Sequence, residues 1–400
     1  MTSNTVIGTK DVLVFGNNKY GQLGLADKDD RPTPQYLMKN ENIVQIICGV
    51  NFTIILKECG EILVIGCYTY GTCEVRSCIL TPLTPLTPLV LNKHVARVVQ
   101  IACGNSHTMI LTLDGDVFSF GNNLSGQLGL GHDISQKNPQ QVETSDWVIK
   151  IASGHDHSAI ITNNYEIFMF GRNMFGQLGL GHNKNQYSPK LLMKNEKISK
   201  IVCGWAHTII LNDDGQVFIC GEHRTNPHSR VGQFKEDRDD QNKPQLLKFD
   251  NDKNIVQVAS DDNTIIFLAD NGQVWLIGKY STGPKLLLTD KSIVQITCGN
   301  DHVVFLKDNG ELLVYGSNLC GQLGLDDLAG IDIPELLMDG VTMIFNTVDL
   351  LKWTPVHHRY FSYRFREKVW VFLLALKRFQ RVTRISVPKF IRFEFFKQCV

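Results

Sequence analysis

Four histidines recur at one position of a repeated sequence pattern and raise the question of metal binding. They are His107, His157, His207 and His302. Zinc holds histidine nitrogens at about 2.0–2.1 Å, so its ligands must converge on one point. These histidines belong to successive repeat copies, and packed sheets are about 10 Å apart. Phe52 and Thr264 fill the same position in two further copies, which a ligand role would not allow. We therefore predict structural histidines, hydrogen-bonded near the junctions between repeats, with no metal and no cofactor.

Eleven cysteines offer thiol chemistry, and four of them share one repeat position. The position holds Cys48, Cys103, Cys203 and Cys298, and serine takes it at Ser153 and Ser260. A position that accepts either residue is small and buried, not half of a disulfide. Because the N-terminus has no signal-peptide pattern, we expect reduced thiols in an intracellular protein, cytoplasmic or nuclear and not secreted. Cys67, Cys73 and Cys78 cluster outside this pattern, but their spacing matches no standard zinc motif.

Enzymatic chemistry has no supporting motif. The sequence contains no GxxxxGK[ST] phosphate loop, and its recurrent GQLGL lacks the strand-to-helix context that a phosphate cradle needs. The Ser, His and Asp residues that could form a catalytic set are explained by the repeat. We predict that the protein is not an enzyme.

The elements that position these residues are long repeats. The segment VFGNNKYGQLGL at 14–25 returns as SFGNNLSGQLGL at 119–130, MFGRNMFGQLGL at 169–180 and VYGSNLCGQLGL at 314–325. One glycine marks each copy: Gly16, Gly66, Gly121, Gly171, Gly221, Gly278 and Gly316. A second pattern, such as ACGNSHTMIL at 102–111, precedes six of the seven glycines. The repeat period is therefore near 50 residues.

Each repeat predicts about four short strands. Between the two patterns lie Asp-Gly or Asn-Gly pairs, as at Gly115 and Gly310, flanked by alternating β-branched residues, which is a strong hairpin signal. A lone four-stranded sheet cannot cover both faces, and a period near 50 fits a propeller blade. We predict an all-β fold: a seven-bladed β-propeller over residues 1–348. A split blade, with Asp11–Gly16 from one chain end and 341–346 from the other, closes it.

The combined pattern CGxxHT…DGxVFxxGxNxxGQLGLG resembles the repeat of the RCC1 (regulator of chromosome condensation) family over about residues 11–345. The resemblance implies a seven-bladed RCC1-type propeller in which Gln-Leu-Gly-Leu packs between blades and the repeated glycines permit close backbone approaches. It also implies a possible exchange activity on a Ran-type small GTPase, with Asp156, Asp262 and Asp301 as acidic residues. The sequence has no insertion that resembles the nucleotide-displacing wedge and no basic N-terminal tail.

Residues that vary within the fixed frame are the candidates for specific recognition. We expect them on loops around one end of the central channel, where polar residues with one exposed tryptophan suit a protein-binding rim. They are Asn51, Asn105, Ser106, His155, Asp156, Trp205, Asp262, Asn263, Asn300 and Asp301. Solvated loop tips without a partner are the alternative interpretation.

The last fifty residues differ from the rest in charge and pattern. Residues 351–400 hold 12 Lys/Arg against 2 Asp/Glu, whereas 1–350 hold 28 against 38. Phe365, Val369, Phe372 and Leu376 recur at helical spacing, and Pro388 fits the first turn of a second helix. We predict a basic helical segment over 349–400. It is similar to the F-box and SOCS-like C-terminal boxes of repeat proteins from large DNA viruses and amoebae.

These observations predict a non-enzymatic interaction scaffold whose rim binds another protein. Two alternatives remain: an adaptor that couples a target to a ubiquitin ligase through the C-terminal helices, and a guanine nucleotide exchange factor. The partner would be a small GTPase, a ligase subunit or another protein. Nucleic acid could meet the basic segment. The longest apolar run, eight residues at 369–376, is too short to span a bilayer, which takes about 20 residues.

Overall fold

The computed structural model describes residues 3–8, 11–39, 43–49, 51–57, 59–68, 75–82, 90–91, 94–95, 97–194, 198–222, 242–249, 254–261, 264–278, 283–299, 301–339 and 341–345. The regular secondary structure of these residues consists of β-strands. Over the same ranges, no helix is long and apolar enough to cross a membrane. The helices predicted for 349–400 lie outside the described residues.

Thirty strands follow one another along the chain, and most group into four-stranded blades. The chain begins with β1 (Ser3–Gly8), β2 (Asp11–Gly16) and β3 (Arg31–Lys39). Blade 1 consists of β4 (Ile43–Cys48), β5 (Phe52–Lys57), β6 (Ile62–Tyr68) and β7 (Val75–Pro82). The short β8 (Val90–Leu91) and β9 (His94–Val95) pair with each other. Blade 2 consists of β10 (Val98–Cys103), β11 (His107–Thr112), β12 (Val117–Gly121) and β13 (Gln136–Val142).

The remaining blades repeat this order. Blade 3 is β14 (Val148–Ser153), β15 (His157–Thr162), β16 (Glu166–Gly171) and β17 (Gln186–Lys194). Blade 4 is β18 (Ile198–Cys203), β19 (His207–Asn212), β20 (Val217–Gly221) and β21 (Gln245–Leu246). Blade 5 is β22 (Ile255–Ser260), β23 (Ile265–Ala269), β24 (Gln273–Ile277) and β25 (Lys285–Thr289). Blade 6 is β26 (Ile293–Cys298), β27 (His302–Lys307), β28 (Leu312–Gly316) and β29 (Ile331–Met338), and the last strand is β30 (Val341–Phe345).

The blades form a closed ring around a central channel. The first strand of each blade contacts the first strand of the next, and β30 contacts both β26 and β4. Strand β30 belongs to a composite sheet of order β3-β2-β1-β30, which we call the closing blade. Joining β1 and β30 in one sheet pairs strands from both ends of the described chain, which would otherwise be isolated strands open to aggregation.

Blade number and closure differ in detail from the sequence prediction. Seven blades were expected, one of them split; six blades are formed by consecutive strands, and the composite sheet takes the place between blades 6 and 1. The prediction placed Asp11–Gly16 and 341–346 in that sheet but missed β1, which pairs with both β2 and β30. The segment that forms β1 is short and carries neither repeat pattern, so no sequence signal marked it.

Glutamine side chains fasten the inner strands to one another. The Gln100 side-chain amide donates to the Ile151 carbonyl at 3.0 Å, and its Oε1 accepts from the Ile151 amide at 3.1 Å. Gln45 makes the same pair of bonds to Ile101. Each glutamine thus replaces, across a blade junction, the ladder bonds that a neighbouring strand would supply.

The GQLGL segment packs between blades, as its family resemblance implied. Its first leucine is almost fully buried in the copies at Leu23, Leu128, Leu178 and Leu323. A buried asparagine five residues earlier holds the loop: the Leu128 amide donates to Asn123 Oδ1 at 2.9 Å, and Asn123 Nδ2 donates to the His132 carbonyl at 2.7 Å. The recurrent asparagine and leucine therefore shape the loop from inside.

Candidate interaction face of the propeller

One face of the ring carries both sets of loops that vary between repeats. The loop between the first and second strands and the loop after the third strand meet there: the Arg172 amide donates to the Asp156 carbonyl at 2.8 Å, and the Asn122 amide to the Ser106 carbonyl at 2.8 Å. We call this the rim face. The hairpin turns at Gly115 and its equivalents lie at the opposite end of the strands, since Leu111 pairs with Val117.

The recurrent histidines lie just below the rim face and join neighbouring blades. His107 Nε2 is 2.8 Å from Ser158 Oγ of the next blade, and His157 Nε2 is 3.0 Å from Thr208 Oγ1. His207 Nε2 is 2.7 Å from Ser260 Oγ in the same way. These contacts agree with the structural role predicted for the histidines.

The hydroxyl partners fix the tautomer of the rings. Ser158 Oγ donates to the Gln127 carbonyl at 2.9 Å, and Thr208 Oγ1 donates to the Gln177 carbonyl at 2.7 Å. Each hydroxyl already donates its one proton to a carbonyl, so it can only accept from the histidine, and Nε2 must carry a proton. The ring is then neutral when Nδ1 is not protonated. Burial lowers the pKa of His107 to about 4 and that of His157 and His302 to about 3. These rings are held neutral because charging them would leave an ion in the core.

The repeated glycines allow the two rim loops to meet. Gly171 has φ 104°, and a Cβ there would lie 2.6 Å from the Asp156 carbonyl oxygen and 2.7 Å from the His157 Cα. At Gly278, the nearest described neighbour of a Cβ would be 4.0 Å away. Residues 262–263 of the facing loop lie outside the described residues, so the comparison with Gly171 does not extend to blade 5.

The predicted rim residues fall into three groups. Asn51, Asn105, His155, Asp156 and Trp205 are half-buried at the rim face, and Asp301 is exposed. Ser106 was expected at a loop tip but is buried, and its carbonyl accepts a hydrogen bond from the Asn122 amide. Asp262, Asn263 and Asn300 lie outside the described residues.

Three aromatic rings and an arginine gather where blades 3 and 4 meet, and we call them the aromatic cluster. The Trp205 ring lies between His155, with centroids 5.8 Å apart and edge-on, and Phe175, with centroids 5.4 Å apart. The Arg172 guanidinium sits 5.7 Å from the Phe175 ring centroid. Aromatic pairs of this geometry hold one another in place.

Asp156 contacts both His155 and Arg172 of this cluster. Its Oδ2 is 3.0 Å from His155 Nδ1 and 3.3 Å from Arg172 Nη1. Burial raises the pKa of this carboxyl, but hydrogen bonds and charge from His155 and Arg172 outweigh it and bring the pKa below its usual value. Because the carboxylate is engaged internally, it positions the cluster and is only partly available to a partner.

The central channel opens among the rim loops and is lined by the ends of the inner strands. Its wall includes Cys103, Ser153, Cys203, Ser260 and Asp261. Burial raises the pKa of Cys103 to about 12, so the thiol is protonated at neutral pH and unreactive. At the shared Cys/Ser position, the four cysteines and Ser260 are buried and Ser153 is half-buried, which suits a small residue. Among the described residues, no group of three His, Cys, Asp or Glu side chains could hold a metal.

Arg172, Phe175 and the neighbouring Met174 were missed by the sequence reasoning. Met174 is 60% exposed on the rim face. All three lie inside the GRNMFGQLGL copy, at positions that differ between the copies of this segment. The signal was present, since the residues between Gly-x-Asn and GQLGL differ among copies just as the predicted loop tips do. The Cys73 position and the Cys67 and Cys78 side chains lie outside what the structure describes.

Two family models match the chain. An RCC1-like domain matches residues 11–283, and a regulator of chromosome condensation (RCC1) repeat matches residues 293–322. The ultraviolet-B receptor UVR8 of Arabidopsis thaliana is 34% identical over 142 residues, which is 34% of this chain and 31% of the receptor. The human X-linked retinitis pigmentosa GTPase regulator is 30% identical over 142 residues, 35% of this chain and 14% of that protein.

Other relatives carry ligase names, and solved structures share the fold. The probable E3 ubiquitin-protein ligase HERC4 of Rattus norvegicus is 35% identical over 135 residues, 33% of this chain and 12% of the ligase. The matched regions thus span less than a third of these relatives. Human WBSCR16 superposes with a TM-score of 0.70 at 24% identity, covering 82% of this chain and 94% of that one. Yeast RCC1 (Prp20), solved with Kap60, gives 0.72 at 18% identity, covering 84% and 85%. These two similarities show the fold alone.

Proposed function

This chain belongs to the RCC1-like family, and from that premise we propose that it is a non-enzymatic scaffold whose rim face binds a partner protein. The aromatic cluster carries the proposal. Trp205, Phe175 and Arg172 are residue types that dominate binding energy in protein interfaces, and here they are held together before any partner arrives. Preorganisation lowers the entropic cost of association.

The chemistry of the cluster indicates what the partner offers. Met174 and the half-buried Trp205 and Phe175 suit an apolar side chain inserted at the junction of blades 3 and 4. Asp156 and Arg172, at the margin, suit polar groups that fix its orientation. No reaction is assigned, because the recurrent histidines and cysteines are buried structural groups.

The proposal is tested by comparing two tryptophan substitutions in the full chain. Trp205→Ala removes the centre of the aromatic cluster, whereas Trp147→Ala removes a 37% exposed tryptophan beside the Gly115 turn on the opposite face. The partner is first identified by affinity purification and its affinity then measured with purified components. We expect Trp205→Ala to weaken binding by about 2 kcal/mol or more, roughly 30-fold, and Trp147→Ala to leave it unchanged. Equal affinity for wild type and Trp205→Ala would refute the role of this cluster.

A ubiquitin-ligase adaptor is the second candidate, favoured by the relatives named as probable E3 ligases. In this version the ring selects a target and residues 349–400 recruit the ligase. Purification of the full chain beside a chain ending at residue 349 tests it. Retention of cullin-type subunits by the shorter chain would argue against the adaptor.

Nucleotide exchange on a Ran-type GTPase is the third candidate and rests on the family and on the fold shared with yeast RCC1. Of its three expected acidic residues, Asp156 is engaged with His155 and Arg172, and Asp301 is exposed. Release of labelled GDP from a panel of small GTPases tests it. No acceleration by the full chain would remove this candidate.

A further inference from the structure

Blade 6 presents an apolar surface on the rim side that nothing in the described residues covers. Leu319 is 78% exposed, Leu328 55% and Ile333 76%. The first two lie on the loop between β28 and β29, and Ile333 follows near the start of β29. This part of β29 is at the rim end of the blade, because Ile331 pairs with Gly316 and Gly316 with His302. Exposed aliphatic residues grouped in this way mark an interaction site more often than scattered ones do.

The same loop is acidic. Asp326, Asp327 and Asp332 are all exposed, and residues 317–333 contain no Lys or Arg. The equivalent loop of blade 3 carries Arg172 and Lys184 instead. We call the three apolar and three acidic residues the blade 6 patch. Its matching ligand is an apolar surface bordered by positive charge.

The described chain ends on the rim side of the closing blade, the neighbour of blade 6. Phe345 of β30 pairs with Thr5, and Ser3 of the same strand β1 pairs with Gly16, so β30 runs toward the rim face. Strand β30 also contacts β26 and β27 of blade 6. The chain therefore reaches Phe345 on the rim side of the ring, between blades 6 and 1.

The following residues have the matching chemistry. Residues 351–400 carry a net charge of +10 from 12 Lys/Arg and 2 Asp/Glu. Their sequence places Phe365, Val369, Phe372 and Leu376 on one predicted helical face. The eight residues 346–353 can extend about 28 Å. Strand β29, which carries Ile333, is three strand spacings from β26, about 14 Å, so the segment is long enough to reach the patch.

We propose that residues 353–396 of the same chain dock on the blade 6 patch. The apolar side chains of the segment cover Leu319, Leu328 and Ile333, and its Lys and Arg side chains face the three aspartates. The attachment at β30 makes this contact intramolecular, with an effective concentration in the millimolar range for a short linker. The charge contribution is screened by salt, since the patch lies at the surface.

Docking at blade 6 leaves the aromatic cluster accessible. That cluster lies between blades 3 and 4, on the other side of the ring from the closing blade and blade 6. The inference therefore goes beyond the proposed function. Either proposal can fail while the other holds, because they involve different blades and different substitutions.

Hydrogen exchange read by mass spectrometry tests the docking in the full chain. The double substitution Leu319→Asp with Ile333→Asp disrupts the patch at two exposed positions, which leaves the core intact. We expect amides of 365–376 to exchange about tenfold faster in this variant than in wild type at low salt. Raising the salt from 0.05 to 0.5 M should also speed the exchange of these amides in wild type, because salt screens the charge contribution to docking.

The matched control uses two exposed apolar residues of the corresponding loop of blade 2, Leu124 and Ile134. Leu124→Asp with Ile134→Asp should leave the exchange of 365–376 unchanged. Equal exchange in wild type and the blade 6 variant would overturn the proposal, as would the same acceleration in the blade 2 variant. Protection that appears only as protein concentration rises would also overturn it, because the segment would then come from a second copy. Unchanged exchange of the β14–β16 amides confirms that the variants are folded.

Discussion

The buried histidines predict that the propeller loses stability as the pH falls below about 6.5. Burial lowers the pKa of His157 to about 3, whereas an unfolded histidine titrates near 6.5. Between these values the unfolded chain binds a proton that the folded chain does not. Stability is therefore independent of this group above its unfolded pKa and is lost as the pH falls toward the folded pKa.

The magnitude follows from the two pKa values. At pH 5, the proton bound by an unfolded histidine costs the folded state about 2 kcal/mol for one such residue. His107 and His302 have similarly lowered pKa values, so the three together account for about 6 kcal/mol between pH 8 and pH 5. This loss is comparable to the total stability of many domains.

The perturbation that isolates one ring is His157→Phe. Phe52 occupies the equivalent position in blade 1 and is buried there, so a phenyl ring fits this site. The substitution removes the hydrogen bond to Thr208 and should lower stability at pH 8 by about 1–2 kcal/mol. It also removes the proton uptake, so its stability should fall by about 2 kcal/mol less than that of wild type between pH 8 and pH 5.

Urea unfolding followed by tryptophan fluorescence at pH 5, 6, 7 and 8 measures this difference. Thr208→Val serves as the control, because it removes the hydroxyl at 3.0 Å from His157 Nε2 but keeps the titrating ring. It should be destabilised at every pH while keeping a pH dependence close to that of wild type. If His157→Phe and wild type lose the same free energy between pH 8 and pH 5, the ring is not a buried neutral group and the reasoning fails.

Two further substitutions, each with a control, test the contact between the rim loops and the glutamine hydrogen bonds between blades. Gly171→Ala places a Cβ 2.6 Å from the Asp156 carbonyl oxygen and should cost about 2–4 kcal/mol, measured by urea unfolding. Gly131→Ala, with φ 82° and no atom within 4 Å of the added Cβ, shares the backbone conformation and should cost about 1 kcal/mol, and equal losses would contradict the close-approach argument. Gln100→Leu leaves the Ile151 amide and carbonyl without their side-chain partner and should cost about 2–4 kcal/mol. The exposed Gln140→Leu should change stability by no more than about 0.5 kcal/mol, and a similar loss in both would show that the clamp adds nothing.

Repetition made most of the ring predictable. Seven copies of one glycine and six copies of the pattern that begins with Cys or Ser set the period, and Asp-Gly or Asn-Gly turns marked the hairpins. The structural role of His107 was predictable because Phe52 and Thr264 substitute at its position. The neutral state of the ring and its partner Ser158 were not, because that partner comes from the next blade, 51 residues away.

The candidate site was only partly predictable. Trp205 and His155 stood out because they vary within a constant frame. Arg172 and Phe175 join them only because the loop after the third strand folds back to the loop before the second, through the bond from the Arg172 amide to the Asp156 carbonyl. Ser106 was predicted at an exposed loop tip and is buried in the structure, whereas its counterpart Asp156 is half-buried.

Sequence alone determined the all-β architecture, the repeat period and the division between an acidic ring and a basic end segment, because these depend on local patterns and on composition. Tertiary structure decided how the ring closes through β1, which variable loops share a face, and that β30 ends on the rim side next to blade 6, which exposes Leu319, Leu328 and Ile333. Those features depend on contacts between residues that are distant in the chain, and local pattern carries no information about such contacts.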